Sequence, residues 1–184
     1  PEVMICVPAG CTQVERRAVL DASYSAGARQ VYLIDEPLAA AIGANVPIAE
    51  ASGNMVLDIG GGAAECAVIS LGGVVVHRSV RVGGHALDET IAKHVRKRHG
   101  LIIGDQTAEK IKRSIGSAVP LDPEKTMSIK GRDLGTGMPR EVELTSTEIS
   151  KALSLPLGKI VRIVKGVLED VPPELAADII DKGI

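Results

Sequence analysis

The fold is indicated most clearly by the segment Met55-Val56-Leu57-Asp58-Ile59-Gly60-Gly61-Gly62-Ala63-Ala64-Glu65-Cys66-Ala67-Val68-Ile69. An apolar run ends in a carboxylate and three glycines and then resumes, which predicts two strands joined by a tight bend. Because glycine has no Cβ and tolerates positive φ, Gly60, Gly61 and Gly62 let backbone N–H groups converge on an anion. Asp58, at the end of the first strand, could hold a metal ion through its water shell. The pattern therefore predicts a β-hairpin that grips phosphate.

An alternative stays open on the glycines alone, because glycines between two strands also occur in loose hairpins that bind nothing. The P-loop pattern G-x-x-x-x-G-K-[ST] is absent, and no G-x-G-x-x-G runs from a strand into a helix. A phosphate grip in this chain is thus expected to be strand–turn–strand. A nucleoside triphosphate with Mg²⁺ fits both the bend and Asp58.

Composition excludes some classes of function. A length of 184 residues with 45% hydrophobic content suits one compact domain, or a domain with an inserted lobe. The 21 basic and 23 acidic residues leave a net charge of −2, so no global field attracts nucleic acid. Phe and Trp are absent and Tyr occurs twice, so base-stacking platforms are missing as well. We expect no nucleic-acid partner.

The cysteines and the chain ends indicate the cellular setting. Cys6, Cys11 and Cys66 lack metal-ligand spacing, and we expect reduced thiols in a cytoplasmic protein, with Cys6 and Cys66 buried in strands. No apolar run approaches the ~18 residues of a membrane span. Pro1 leads almost directly into a strand, and the chain ends immediately after a helical pattern, which is typical of a piece of a longer protein.

Periodicity and turn signals predict an α/β fold with a β-α-β start, in which a parallel pair and a meander form one mixed five-stranded sheet. Thr12 with Glu15 predicts a capping box, and Gly27 predicts a helix stop. The smaller α+β lobe is expected at 85–149, inserted into a first lobe formed by 1–84 and 150–184. The predicted strands are 3–7, 31–34, 55–58, 65–71 and 74–82, with two short segments at 126–130 and 141–144. The predicted helices are 12–26, 38–44, 86–99, 106–115, 146–170 and 174–182.

Glu36 is the second candidate for chemistry. It comes directly after the parallel strand 31–34 at its C-terminal end, where ligand clefts of α/β sheets open. A carboxylate there could orient or activate a water for attack on a γ-phosphorus. It could equally be a helix-initiating acid favoured by the helix dipole, and the neighbouring Asp35 could fill either role.

Several segments taken together resemble a known superfamily. Glu36-Pro37-x-Ala-Ala-Ala-Ile-Gly, Asp58-Ile-Gly-Gly-Gly and Val82-Gly83-Gly84-x-x-Leu-Asp88 resemble the actin and DnaK-type ATPases. Within that superfamily the chain resembles the MreB family of bacterial actins over essentially all of its length. The segments that carry this resemblance are VYLIDEPLAAAIGA, GNMVLDIGGGAAECAVISLGGVV, SVRVGGHALDETI, TAEKIKRSIGSA, KGRDLGTGMPREVEL and PPELAADIIDKGI.

The resemblance implies an actin-like ATPase (ribonuclease H-like) fold in a two-domain protein that binds and hydrolyses ATP. Such proteins assemble with themselves into protofilaments at the inner face of the cytoplasmic membrane and direct rod shape and cell-wall synthesis, beside membrane-associated cell-wall elongation proteins. This chain would cover domain II, with 1–84 and 150–184 as subdomain IIA and 85–149 as subdomain IIB. Membrane contact would come from outside this segment. The segment alone would hydrolyse ATP negligibly.

The resemblance also implies roles for site residues. Asp58 would sit beside Mg²⁺, and Glu36 would position the attacking water. Backbone N–H groups of the bend would bind the β- and γ-phosphates, and one face of the helix at 106–115 would contact the nucleoside. The residues so assigned to the cofactor are Gly60, Gly61, Gly62, Ala63, Gly84, Glu109, Lys110, Ile111 and Lys112.

Three features depart from the family pattern. Ala63-Ala64 stand where the family usually has Thr-Thr, so hydroxyls that could aid phosphate or metal-water contacts are missing. His85 stands where an acidic residue is usual, and Asp35 replaces a Glu. Two alternatives to an active filament ATPase stay open. One is a nucleotide-dead interaction module, which Ala63-Ala64 suggest, and the other is a chaperone-like or sugar-kinase-like ATPase that shares the fold.

Overall fold

The computed structural model describes residues 1–184, which form eight strands and six helices. The strands are β1 (Glu2–Val7), β2 (Gln30–Asp35), β3 (Asn54–Ile59), β4 (Ala64–Ser70), β5 (Gly73–Val80), β6 (Leu101–Ile102), β7 (Thr126–Asp133) and β8 (Pro139–Thr145). The helices are α1 (Gln13–Ser25), α2 (Glu36–Gly43), α3 (Gly84–His99), α4 (Asp105–Ile115), α5 (Ser146–Asp170) and α6 (Pro173–Lys182). None of these helices combines the length and apolar character needed to cross a membrane.

The predicted β-α-β start is confirmed. The Thr12 side chain accepts a hydrogen bond from the Glu15 amide, and Glu15 reaches back to the Thr12 amide, which completes the capping box of α1. Gly27 adopts φ +98° just after the helix, a conformation that glycine takes without strain. β1 then pairs with β2 in parallel, with Val3 opposite Val31.

The prediction of a single five-stranded sheet is wrong. β1 and β2 form a two-stranded parallel sheet, whereas β3, β4 and β5 form a separate antiparallel sheet. Hydrophobic periodicity indicates which segments are strands but does not specify which strands pair. Helices α2 and α6 pack against β3, and β3 forms ladder hydrogen bonds with β4 alone.

The chain divides into two compact units, of which unit 1 comprises Pro1–Ile59, Ala64–Val80 and Arg162–Ile184. Its most buried element is β4, in which residues 64–69 are all buried. The start of β3 is tied to α6, because the Gly53 amide donates to Asp178 Oδ2 at 2.7 Å. A Cβ on Gly53 would lie 2.7 Å from the carbonyl oxygen of Leu175, so this close approach requires glycine.

Unit 2 comprises Gly60–Ala63 and Arg81–Val161. Its core is apolar and aliphatic, as the absence of Phe and Trp requires. Strand β6, which pairs with β7, was not predicted, because its two residues are too few to show a period. The buried core residues are Ile91, Val95, Leu101, Ala108, Ile111, Ile115, Ile129, Leu144, Ile149 and Leu153.

A shared carboxylate links α3 to α5 inside unit 2. Glu148 Oε1 lies 2.7 Å from Nε2 of both His94 and His99. Burial, the largest influence, raises the pKa of Glu148, but the hydrogen bonds with His99 and His94 outweigh it, so the pKa lies below its usual value. His94 and His99 both belong to α3 and Glu148 belongs to α5, so the shared acid joins the two helices. Spacing in the sequence does not indicate this contact, because the acid lies 54 and 49 residues from the two histidines.

The thiols differ from expectation at one position. Cys66 is buried in β4, where burial raises the pKa of its thiol to about 11. Cys6 is exposed, because alternate side chains of β1 face solvent. The assignment of the lobes to subdomains IIA and IIB stays a prediction.

Leu144→Ala should lower the free energy of unfolding by about 2–5 kcal/mol, because Leu144 is fully buried and its loss leaves a cavity in the core of unit 2. Leu155 on α5 is 74% exposed, so Leu155→Ala should change the same quantity by about 0.5 kcal/mol or less. Urea unfolding of both variants measures the difference. Equal effects would show that Leu144 does not lie in a packed core.

Candidate functional site

The glycine-rich bend between β3 and β4 presents free backbone donors. The Gly60 amide donates to the Ala63 carbonyl at 2.9 Å and closes the bend. The amides of Gly61, Gly62 and Ala63 donate to no other group of the protein. Gly61 and Gly62 are exposed. Successive unpaired N–H groups at an exposed bend form a concave site for an anion.

Helix α3 holds this bend from one side. The Gly84 amide donates to the Gly60 carbonyl and the His85 amide donates to the Gly61 carbonyl, both at 2.9 Å. These bonds satisfy two N–H groups of the first turn of α3, which have no partner within the helix. They also fix the direction of the bend, since both of its first carbonyls are engaged by α3.

Gly83 makes this approach possible. A Cβ on Gly83 would lie 2.4 Å from the Gly60 carbonyl oxygen and 2.7 Å from that of Gly61. No side chain fits there, because both contacts are with backbone that cannot move aside. Gly83 is therefore required by packing, and Gly84, the predicted cofactor residue, lies in direct contact with the bend.

Lys112 from α4 reaches the same turn of α3. Its Nζ donates to Asp88 Oδ2 at 2.9 Å and to the Gly84 carbonyl at 3.2 Å. The second oxygen of Asp88, Oδ1, is buried and has no hydrogen-bond partner. Asp88 thus holds the ammonium group of Lys112 beside Gly84, which contacts the bend. No local sequence pattern assigns a role to Asp88, since its partner Lys112 lies 24 residues away.

The other predicted residues of α4 do not converge on this place. Glu109 is exposed, and its carboxylate lies 4.0 Å from the guanidinium group of Arg113, whereas the ammonium group of Lys112 binds Asp88. Lys110 is exposed, whereas Ile111 is fully buried in the core of unit 2. The side chain of Ile111 therefore packs, and only its backbone is left to contact a ligand.

Unit 1 carries a group of carboxylates at the end of β3. Asp58 is directly opposite Glu65 in the β3–β4 pair, and Glu36 begins α2 immediately after β2. Burial first, and then the negative charges of Glu36 and Asp58, raise the pKa of Glu65, while a hydrogen bond from the Ala9 amide partly offsets them. Three acids are thus concentrated in one region.

The surroundings of these acids distinguish them. The Asp35 carboxylate accepts a hydrogen bond from Arg16, whereas the Glu36 side chain has no hydrogen-bond partner. Of the two acids that the sequence left open, Glu36 is the one free to bind a water. No three His, Cys, Asp or Glu side chains are arranged to ligate a metal directly. A cation at Asp58 would therefore keep part of its water shell, as Mg²⁺ usually does.

Comparison with known proteins gives the family. A sequence profile of the MreB/Mbl protein family matches residues 1–184. The chain is 54% identical over 184 residues to the cell shape-determining protein MreB of Escherichia coli K12, and it covers 53% of that protein. It is 42% identical to the cell shape-determining protein Mbl of Bacillus subtilis, of which it covers 55%. The chain spans about half the length of these relatives.

Solved structures show the fold. MreB5 of Spiroplasma citri bound to ADP superposes with a TM-score of 0.94 at 40% identity, over 100% of this chain and 56% of that one. The AMPPNP-bound form of MreB5 gives 0.93 over 98% of this chain and 54% of that one. A chain of the MamK double helical filament, at 20% identity and a TM-score of 0.74, shares the fold over 96% of this chain and 52% of its own length. The fold is therefore that of the actin-like ATPases, as predicted.

Gly83→Ala should break the clamp between α3 and the bend, because its Cβ would overlap two backbone carbonyls. Losing two hydrogen bonds of about 1 kcal/mol each should speed amide exchange at Gly84 and His85 at least about tenfold. Hydrogen exchange detected by NMR measures this. Gly158→Ala in α5, where a Cβ meets nothing within 4 Å, is the matched control and should leave both amides protected. Unchanged exchange in Gly83→Ala would contradict the clamp.

Proposed function

This chain belongs to the MreB/Mbl family, and we propose that it is part of an actin-like protein that binds Mg²⁺ and ATP, hydrolyses ATP and forms filaments. The observation that carries the proposal is the bend at Gly60–Ala63, which has three free amides and two carbonyls bonded to α3. The solved MreB5 structures have ADP or AMPPNP bound. Both ligands carry phosphate groups, which the free amides of such a bend can bind.

In the proposed complex the amides of Gly61, Gly62 and Ala63 donate to the β- and γ-phosphates. N–H groups at a bend of this kind bind anions without any side chain, so the alanines at 63 and 64 leave the donors intact. The ammonium group of Lys112, the carboxylate of Glu109 and the backbone at Lys110 and Ile111 are proposed to contact the nucleoside. Asp88 positions Lys112 for that contact.

Two acids are proposed to carry the chemistry. Asp58 would hold Mg²⁺ through water, and a bound metal would neutralise charge on the phosphates. Glu36 accepts a hydrogen bond from a water and orients its oxygen toward the γ-phosphorus. Attack of that oxygen breaks the bond between the γ-phosphorus and the β,γ-bridging oxygen, giving ADP and phosphate. The free Glu36 carboxylate supports this role, since no other side chain occupies it.

The cellular role is inferred from the relatives, which are named cell shape-determining proteins. We propose that the whole protein polymerises at the inner face of the cytoplasmic membrane, in the cytoplasm, and directs cell-wall elongation together with membrane-associated proteins. The whole-length family match disfavours a chaperone or a sugar kinase. A nucleotide-dead module is the remaining alternative, because Ala63 and Ala64 lack hydroxyls.

Sedimentation of the full-length protein distinguishes the two remaining hypotheses, a filament-forming ATPase and a nucleotide-dead module. We expect the pelleted fraction to differ between ATP and ADP. The two nucleotides differ in the γ-phosphate, and a γ-phosphate bound at the bend should affect filament assembly. The protein without nucleotide is the control. A pelleted fraction that is identical in all three conditions would favour the nucleotide-dead module.

Substitution separates the two acids. In the full-length protein, Glu36→Ala should lower kcat by about 10²-fold or more while the Kd for Mg-ATP changes by about twofold or less, because a water-positioning group acts mainly in the transition state. Asp58→Ala should also weaken Mg-ATP binding, by about tenfold. Phosphate release and calorimetric titration give the two quantities. Glu50→Ala, at an exposed acid, is the control. Unchanged turnover in Glu36→Ala would refute its assigned role.

A further inference from the structure

The imidazole of His85 lies against the bend. A Cβ built on Gly61 would lie 3.2 Å from His85 Cε1, 3.3 Å from Nε2 and 3.7 Å from Nδ1. The backbone of His85 is bonded to the same residue, through its amide and the Gly61 carbonyl. The side chain is exposed and forms no hydrogen bond within the protein. The imidazole of His85, which has no hydrogen-bond partner, thus lies beside Gly61, the first of the three residues with free amides.

The ring also borders a cavity of about 350 Å³ lined by His85, Asp88, Glu89 and Asp105. Asp88 and Glu89 come from α3 and Asp105 from α4, and Lys112 of α4 is already paired with Asp88. The bend itself carries no titratable side chain. Carboxyl and ammonium groups as classes keep their charge between pH 6 and 8, whereas imidazoles change charge in that range. His85 is the imidazole of this set.

We propose that His85 makes phosphate binding at the bend depend on pH, by adding a cation beside the backbone amides when its ring is protonated. This inference rests on the proposed function, since it needs a nucleotide at Gly60–Ala63. An anion bonded to the Gly61 amide lies within the roughly 8–10 Å over which charges interact at physiological salt. An imidazolium at this position attracts the anion, whereas a neutral imidazole does not.

Neighbouring charges set the limits of the effect. Glu89 and Asp105 face the same cavity and attract the imidazolium, so a bound phosphate competes with them. Asp88 competes less, because Lys112 neutralises it. A contribution from one cation at this range, screened by solvent, corresponds to about a three- to tenfold change in affinity. His85 is therefore a specificity residue for charge on the ligand, and adenosine, which has no phosphate, should not sense it.

The test is calorimetric titration of the full-length protein with Mg-ATP at pH 6.0 and pH 8.0. The Kd of the natural protein should rise about three- to tenfold from the lower to the higher pH, whereas that of His85→Asn should change less than about twofold. Any titration of ATP itself is common to both proteins and cancels in the comparison. Glu50→Gln, at an exposed acid, is the control for a surface substitution and should keep the natural pH profile.

The possible outcomes are distinguishable. If His85→Asn keeps the natural pH profile while both proteins bind Mg-ATP, the role of His85 is overturned and the proposed function stands. If neither protein binds Mg-ATP at either pH, the proposed function fails and the inference fails with it. His85→Gln, which keeps a polar side chain of similar reach, repeats the test should the asparagine variant be poorly folded. A pH effect on adenosine binding equal to that on Mg-ATP would also overturn the inference.

Discussion

The site depends on one backbone interaction, the pair of hydrogen bonds from the Gly84 and His85 amides to the Gly60 and Gly61 carbonyls. A flexible glycine bend has many conformations, and ordering it costs conformational entropy that a ligand would otherwise have to supply. By engaging two carbonyls, α3 fixes the bend before any anion arrives and leaves the later amides free. The close approach is possible only because Gly83 has no side chain.

The rest of unit 2 keeps that clamp in place. α3 and α4 pack together through fully buried residues such as Ile91 and Ile111, and the pair of Lys112 and Asp88 joins the two helices next to the bend. Toward the C-terminal end of α3, Glu148 draws His94 and His99 toward α5. Helix α3 is thus fixed at both ends, and the aliphatic core between them supports the bend at Gly60–Ala63.

Local signals were readable from the sequence, and long-range ones were not. The capping box at Thr12, the bend after Asp58 and the helical elements could be predicted from spacing and residue type, and the family resemblance added the actin-like fold. Spacing could not show that Asp88 holds Lys112, since 24 residues separate them, nor that Glu148 joins two histidines. β1 and β2 pair in a sheet separate from that of β3, β4 and β5, and periodicity does not specify which strands pair.

Free amides of a preformed bend are proposed to receive the phosphates of a nucleotide, and every other assignment at the site depends on that contact. The decisive measurement is a crystal structure of the full-length protein with Mg²⁺ and a non-hydrolysable ATP analogue. We expect phosphate oxygens about 2.7–3.2 Å from the amide nitrogens of Gly61, Gly62 and Ala63, with the Gly84 and His85 bonds to the bend intact. Phosphates bound elsewhere, or a bend that leaves α3 to bind them, would contradict this mechanism.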